Sequence, residues 1–440
     1  MSKSVSLHTL GCKLNYSETS TLAGKFHENG FILKDYGEKS DLFILNTCSV
    51  TENADKECRQ IIRSVLNRNP DTYIVVTGCY AQLQPHEIAS IHGVDLVLGS
   101  NEKFRLFEYL DGLEKKDISC VFTSPINEVT NFDYAFSSDI ESRTRAYLKI
   151  QDGCDYNCSF CTIPLARGSS RSLEIDKVCD NAKKLIDLGY KEIVLTGVNT
   201  GDYNFEIKIN NEKFKYKLID VLYELDKLNI QRIRISSVEP NLLTDEIIQL
   251  TKGSSKLCNH FHIPLQSGDA EILQLMRRRY NVNDYEKLIY KLNEQIPDIG
   301  IGVDIITGFP NETAERFENT YRFLESLPVG YLHVFTYSER RNTFAVTIPG
   351  RVDMQVRKER SRRLRELSAN KKYNFYLKNT GKIHKVLYET VKDDGFIYGF
   401  TENYIKVRTE SNKLLENKIM DTAIISVSEN NIANGEILSS

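Results

Sequence analysis

No stretch of this chain approaches the roughly 18 uninterrupted apolar residues that a membrane-spanning helix needs. The start, MSKSVSLHTLGCKLN, has no basic flank leading into an apolar core and cleavage site. A cytoplasmic protein with no membrane association is expected. Nor is there a surplus of charge of either sign: 57 Lys and Arg against 60 Asp and Glu leave a net charge of -3. Any nucleic-acid surface must then be a local patch rather than a property of the whole chain. An even framework of cysteines is also missing. The ten cysteines of the 440 residues gather at turn positions, which favours metal or redox chemistry in a reducing compartment over disulfides. What is present is ordinary globular material, 41% hydrophobic and 27% charged, enough to bury large cores in about three domains.

The stretch KIQDGCDYNCSFCTIP sets Cys154, Cys158 and Cys161 at intervals of four and three. Zinc normally closes with four Cys or His ligands, whereas an iron-sulfur cluster can be tied by three thiolates with one iron left open. The nearest histidines, His92 and His260, are remote in sequence. The spacing therefore favours a cluster, with zinc completed by a distant ligand, or plain structural thiols, as the alternatives.

Upstream, SVSLHTLGC, DLFILNTCS and TYIVVTGCY are short β-branched or apolar runs, each ending in a turn that carries a cysteine: Cys12, Cys48 and Cys79. Amphipathic helical stretches, Ser17 to Glu28 and Asp55 to Asn67, follow the first two. An open parallel sheet is expected, whose strand-end turns gather along one ligand-binding edge. The three thiols are thus a second cluster candidate, although a lone cysteine at a strand end is often only a small packing residue.

From about Arg145 to Ser338 the alternation resumes with AYLKIQDGC, EIVLTGVNT, RIRISSVEP, FHIPLQSG, IGVDIITGFP and YLHVFTYS as strands and helical patterns between them. These strands are too few for a complete eight-stranded barrel and suit a curved or partial α/β barrel, working at its strand ends. The strand-end edge would display small, polar and glycine residues, a composition that turns share everywhere.

CDYNCSFC resembles the C-x3-C-x2-C signature of radical S-adenosylmethionine enzymes, with Phe160 before the last cysteine. With IPLARGSSRS, TLGCKLNYSE, LNTCSVTENADKECRQ, VVTGCYAQ and HIPLQSGDAEILQLMRRRY, nearly the whole chain resembles the methylthiotransferases, most of all the branch acting on N6-threonylcarbamoyladenosine in tRNA. Departures are Asn311, where glycine is usual, and Asn342 and Phe344, where glycine and a smaller residue are common. The resemblance implies a 4Fe-4S cluster on Cys154, Cys158 and Cys161 whose open iron binds S-adenosylmethionine. It implies an auxiliary 4Fe-4S cluster on Cys12, Cys48 and Cys79, and a methylthio group delivered to adenine C2 after hydrogen abstraction by a 5′-deoxyadenosyl radical. An electron donor is required, its identity open. Phe160, Thr196, Gly197, Asn199, Ser237, Glu239, Gln266 and Asp304 are the expected cofactor-pocket residues, with turn packing as the competing explanation. No general acid or base is assigned, and Cys58, Cys120, Cys179 and Cys258 are expected to be packing thiols.

Between Arg351 and Lys378, ten Lys or Arg face three Asp or Glu in a helix-like run, a local basic patch or else a solvated face laced with ion pairs. Short strands follow and suit a small antiparallel β-barrel resembling a TRAM domain, with Phe400 and Tyr404 read either as base contacts or as barrel core. The expected domains are 1–115, with the auxiliary cluster; 140–375, the radical unit; and 376–440, the RNA-binding barrel. The expected partner is the tRNA anticodon stem-loop. Because threonylcarbamoyladenosine carries a carboxylate, its pocket should offer a cation or several N–H donors. Arg167, Arg171, Arg340 and Arg341 are candidates for it, and Arg362, Arg363 and Arg365 for phosphate contact. Competing functions are methylthiolation of isopentenyladenosine or of a ribosomal-protein aspartate, and, from another class, a noncatalytic iron-sulfur or zinc protein.

Overall fold

In the N-terminal sheet, β3 (Leu42–Thr47) and β4 (Tyr73–Gly78) are buried at every position, as continuous apolar runs must be when helices cover both faces of a parallel sheet. With β1 (Ser4–Thr9), β2 (Ile32–Lys34), β5 (Leu96–Leu98) and β6 (Cys120–Phe122) they form an all-parallel sheet in the order β2-β1-β3-β4-β5-β6. The chain order reverses between β1 and β3, which is where open α/β sheets bind ligands. The computed structural model describes residues 3–48, 52–115, 117–136 and 144–438. The sheet's last strand lies past the expected domain edge at 115, and the expected start at 140 falls outside the described residues.

Six further strands make the expected partial barrel: β7 (Arg145–Lys149), β8 (Glu192–Thr196) and β9 (Arg232–Ile235) in one parallel sheet, and β10 (His260–His262), β11 (Gly300–Thr307) and β12 (Tyr331–Thr336) in another. Single bridges, Ile233 to Leu257 and Ser237 to His262, join the two sheets. Outer helices bury one stripe each; Ile175–Asp187 hides Ile175, Val178, Ala182 and Leu185, a helical spacing. Helix α1 (Lys13–Glu28) packs beside β7, with Tyr16 and Tyr147 edge to face at 5.7 Å. A solvent-facing hairpin, Asn204–Ile209 with Glu212–Lys217, was not anticipated; its two turn residues, Asn210 and Asn211, both have positive φ, the signature of a tight hairpin turn.

Five antiparallel and parallel pairings close the C-terminal barrel, β13 (Ile383–Val391), β14 (Phe396–Thr401), β15 (Lys406–Glu410), β16 (Ile419–Val427) and β17 (Ala433–Ile437), in the order β13-β14-β15-β17-β16. It docks against the strand starts of the larger barrel. Arg232 donates to the carbonyls of Phe400 and Lys385, and Arg234 to those of Thr401 and Glu402.

Candidate active site

Cys12, Cys48 and Cys79 stand immediately after β1, β3 and β4, at the switch point of the sheet. The register sets Thr47 opposite Gly78, so Cys48 and Cys79 leave adjacent strands side by side. A Cβ on Gly11, whose φ is +103°, would lie 2.5 Å from the Cys48 Cβ and 2.9 Å from its Sγ; only glycine lets the first turn pass that close to the second. Cys12 starts α1 as its N-cap and faces open space. Surrounding protein nonetheless raises its thiol above the ordinary value, opposed by the nearby Arg167 guanidinium. Cys48 and Cys79 are buried beside Cys12 at the ends of adjacent strands.

The second triad sits on the loop after β7. A Cβ on Gly153 (φ +70°) would fall 2.0 Å from the Ser169 carbonyl, so glycine is required just before Cys154. The backbone N–H groups of Tyr156 and Ile163 donate to the Cys154 and Cys161 sulfurs at 3.4 Å, and Arg278 donates to the Cys158 sulfur at 3.0 Å. Burial pushes the Cys161 thiol up to about 12 and Cys154 to about 11, with mutual repulsion among the thiolates adding to it. Sulfurs so enclosed ionise when a cationic centre compensates them, and N–H donors aimed at sulfur are the environment of iron-sulfur thiolates. The second triad therefore fits an open-sited cluster. Among the described residues no three His, Cys, Asp or Glu side chains close around a single metal ion.

Between the triads lies a fully enclosed charge network. The Arg167 guanidinium binds both oxygens of Glu18 at 2.9 and 3.1 Å, Asp152 at 3.0 Å and Asn15 at 2.6 Å. Lys103 and Lys149 complete Glu18 at 2.5 and 3.2 Å, and Lys149 also meets Asp152 at 2.7 Å. These cations hold the Glu18 and Asp152 carboxylates well below their usual range despite burial. Arg167, 2% exposed, is therefore corrected from a candidate RNA contact to the tie between α1 and the cysteine loop. Arg171 also folds inward, onto the Arg167 carbonyl and Asp152.

Three expected cofactor residues, Phe160, Gln266 and Asp304, line one cavity of about 210 Å³ together with Cys161. Gln266 is held at φ +72° between Asp304 and Ile306 by backbone bonds of 2.8 and 3.0 Å, a strained conformation of the kind that clusters at binding sites. Ser237 reaches this wall through His262, which bonds Ser237 at 2.9 Å and Asp304 at 2.8 Å. Thr196 and Asn199 are buried, yet the Thr196 hydroxyl and both Asn199 amide atoms have no protein partner; a polar ligand would satisfy them. Gly197 packs on Gln151. Glu239 accepts from Arg278, which thereby links it to Cys158. Sequence reasoning missed Arg278 and His262. The run Arg277–Arg279 was a usable signal: Arg279 stacks on Tyr156 at 3.8 Å and bonds the Asp155 carbonyl, pinning the cysteine loop.

Arg340 pairs with Asp55 at 2.7 Å, while Arg341 is exposed at the same rim. On helix α4 (Met354–Leu377), Arg362 pairs with Glu359 and Glu366 and Arg363 with Glu318; Arg365 is exposed. Phe400 and Tyr404 lie outside the barrel's own hydrophobic core. They stack on each other at 5.0 Å in the docking seam, with Arg145 over Phe400 and Arg234 over Tyr404.

Residues 4–99 match the uncharacterized protein family UPF0004 and residues 148–324 the Radical SAM superfamily, each region holding one cysteine triad. The chain is 38% identical to the threonylcarbamoyladenosine tRNA methylthiotransferase MtaB of Bacillus subtilis, covering 96% of this chain and 93% of that protein. Identity is 38% to the protein of the same name from Aquifex aeolicus, over 93% and 97%. It is 32% to tRNA-2-methylthio-N(6)-dimethylallyladenosine synthase of Acetivibrio thermocellus, over 96% and 88%. Among solved structures, the radical S-adenosylmethionine methyltransferase TsrM of Kitasatospora setae shares the fold at TM-score 0.53 and 15% identity, covering 76% of this chain and 75% of that one.

Proposed function

The chain belongs to the radical S-adenosylmethionine methylthiotransferases, and on that premise we propose that it converts N6-threonylcarbamoyladenosine next to the tRNA anticodon to its 2-methylthio derivative. Membership implies S-adenosylmethionine and one 4Fe-4S cluster, which Cys154, Cys158 and Cys161 would hold. An auxiliary 4Fe-4S cluster on Cys12, Cys48 and Cys79 is part of the proposal, as are a cytoplasmic setting, the anticodon stem-loop as partner and an external electron donor. No helix among the described residues is long and apolar enough to cross a membrane.

One observation carries the reading: two separate thiol triads, each built by a glycine-cysteine turn, are tied to a single buried network running from Glu18 through Arg167 to Asp152. When bound, the clusters and S-adenosylmethionine supply the radical and the methylthio group. The protein's own part is positional. Arg167 locks α1 to the cysteine loop, Arg278 and two backbone N–H groups brace the sulfurs, and Thr196, Asn199 and Asp304 offer polar groups to the cofactor.

Anaerobic reconstitution should give about eight irons per chain, from two four-iron clusters. With a chemical reductant and anticodon-loop RNA bearing threonylcarbamoyladenosine, nucleoside mass spectrometry should show the methylthio product. Replacing Cys12, Cys48 and Cys79 by alanine should leave about four irons and 5′-deoxyadenosine formation while ending sulfur insertion. Full iron content and product in that variant would overturn the two-cluster reading. Activity on isopentenyladenosine RNA alone would overturn the substrate.

A further inference from the structure

A second cavity, of about 280 Å³, adjoins the cofactor cavity and shares Thr162 and Arg340 with it. Its walls come from the elements that follow two of the auxiliary thiols and from the loop after β12. Asp55 and Arg59 lie on α2 (Glu52–Arg68), after Cys48; Tyr80 lies on α3 (Cys79–Leu83); Arg340 and Arg341 lie on the loop. The space is thus next to both the radical-generating loop and the auxiliary triad, where a substituent on the reacting ring has to go.

This lining is charged rather than apolar, with Asp55, Glu87 and Glu339 against Arg59, Arg340 and Arg341, but not every charge is paired within it. Arg59 is bound to Glu87 at 2.9 Å, and Glu87 also accepts from the Tyr80 hydroxyl at 2.8 Å. Arg340 is bound to Asp55 at 2.7 and 3.3 Å. Glu339 is committed to Arg357 and Arg351. Arg341 remains, exposed and with no ion pair among the described residues. The Arg340 Nε is buried without a partner, because Asp55 occupies only the outer fork of that guanidinium. One unpaired cation, Arg341, therefore lines a cavity bordering the cofactor, and the wall residue Arg340 carries one unmet N–H donor.

We propose that this cavity receives the N6 substituent of the target adenine and that Arg341, together with the Arg340 Nε–H, binds its carboxylate. Asp55 is the positioning residue that fixes the Arg340 fork. The inference rests on the tRNA-modifying reading above and adds how the threonylcarbamoyl group is told from an isopentenyl group. A carboxylate satisfies both free donors in charge-assisted hydrogen bonds. A prenyl chain satisfies neither and would desolvate Arg341 without return.

The test uses the reconstituted full-length enzyme and three anticodon stem-loops carrying threonylcarbamoyladenosine, its carboxylate methyl ester, or isopentenyladenosine. The variants are Arg341→Ala, Arg341→Gln and Arg341→Lys. For the wild type, kcat/KM should fall from acid to ester. Arg341→Ala and Arg341→Gln should lose about 10- to 100-fold on the acid and little on the ester, collapsing the acid-to-ester ratio, with Arg341→Lys in between. Iron content and the binding constant for S-adenosylmethionine, measured on each variant, report folding independently. If the wild type modifies the acid and both neutral variants keep its acid-to-ester ratio, the pocket assignment fails while the function stands. If the wild type leaves the acid-bearing RNA unmodified, the substrate reading itself fails.

Discussion

The six cysteines proposed as ligands stand out because their pattern is local: one triad is contiguous, and the other repeats one strand-turn-cysteine unit. The charged residues that tie the triads together are not, since Arg167 meets Glu18 across 149 positions, and no spacing rule reaches that far. The arginine in IPLARG therefore looked like a surface cation. The two departures at Asn311 and Asn342 have a backbone answer, because their φ values are +69° and +67°, and asparagine is the side chain that best replaces glycine there. Arg167→Met should leave Glu18 to Lys103 and Lys149, and Asp152 to Lys149 and Arg171, with the bidentate tie lost, and cost about 3 kcal/mol. Arg167→Lys should recover only part, because an ammonium cannot serve acceptors on three residues with a planar fork. Thermal unfolding of the cluster-free variants measures this, and an unchanged melting temperature in Arg167→Met would show the network to be dispensable.

At the level of elements, hydrophobic periodicity gave the six strands of the partial barrel and three of the six in the N-terminal sheet, but not its short strands β2, β5 and β6, the ends of the helices or the role of the basic one. Helix α1 begins four positions earlier than its amphipathic pattern, at Lys13, because Cys12 serves as its N-cap. Helix α4 looked like a phosphate-binding surface because its partners lie elsewhere in the chain: Arg357 is bound to Glu339, Arg360 to Glu312 and Arg363 to Glu318. Its buried positions Arg357, Ser361, Leu364 and Leu367 follow the helical stripe, so the helix is chiefly a brace along β12. Arg365, exposed and without an ion pair among the described residues, is the member of the expected trio that is free to meet phosphate. Arg365→Ala should flatten the salt dependence of tRNA binding by about one unit of log K against log salt, and adding Arg362→Ala and Arg363→Ala should change it little further. A drop of about three units in the triple variant would restore the whole patch as a phosphate surface.

Across the whole molecule, the aromatic residues of the C-terminal barrel were legible as a cluster but not as a seam, since their partners are contributed by strand starts some 168 positions away. At the buried centre of that seam stands Glu192, while Glu389 and Glu402 meet Arg145 and Arg232 at its edge. Glu192, fully buried, binds Arg234 at 2.7 Å and lies 3.6 Å from Arg232, and both arginines donate to barrel carbonyls. Burial opposes its ionisation, but Arg234, then Arg145 and Arg232, hold the carboxylate down to about 2. The sign follows: a carboxylate whose folded value lies below its unfolded one of about 4.5 stabilises the fold above that unfolded value, and loses this contribution as pH falls toward about 2. The shift corresponds to about 3 kcal/mol at neutral pH. Glu192→Gln should therefore loosen the barrel at neutral pH, by about 3 kcal/mol because it leaves buried Arg234 without a carboxylate partner, and should flatten the loss of stability that the wild type shows between pH 4.5 and about 2. Hydrogen exchange of residues 400–404 in the cluster-free protein reads the seam directly. Protection that falls with acid equally in the wild type and in Glu192→Gln would mean that Glu192 does not control the docking of the barrel.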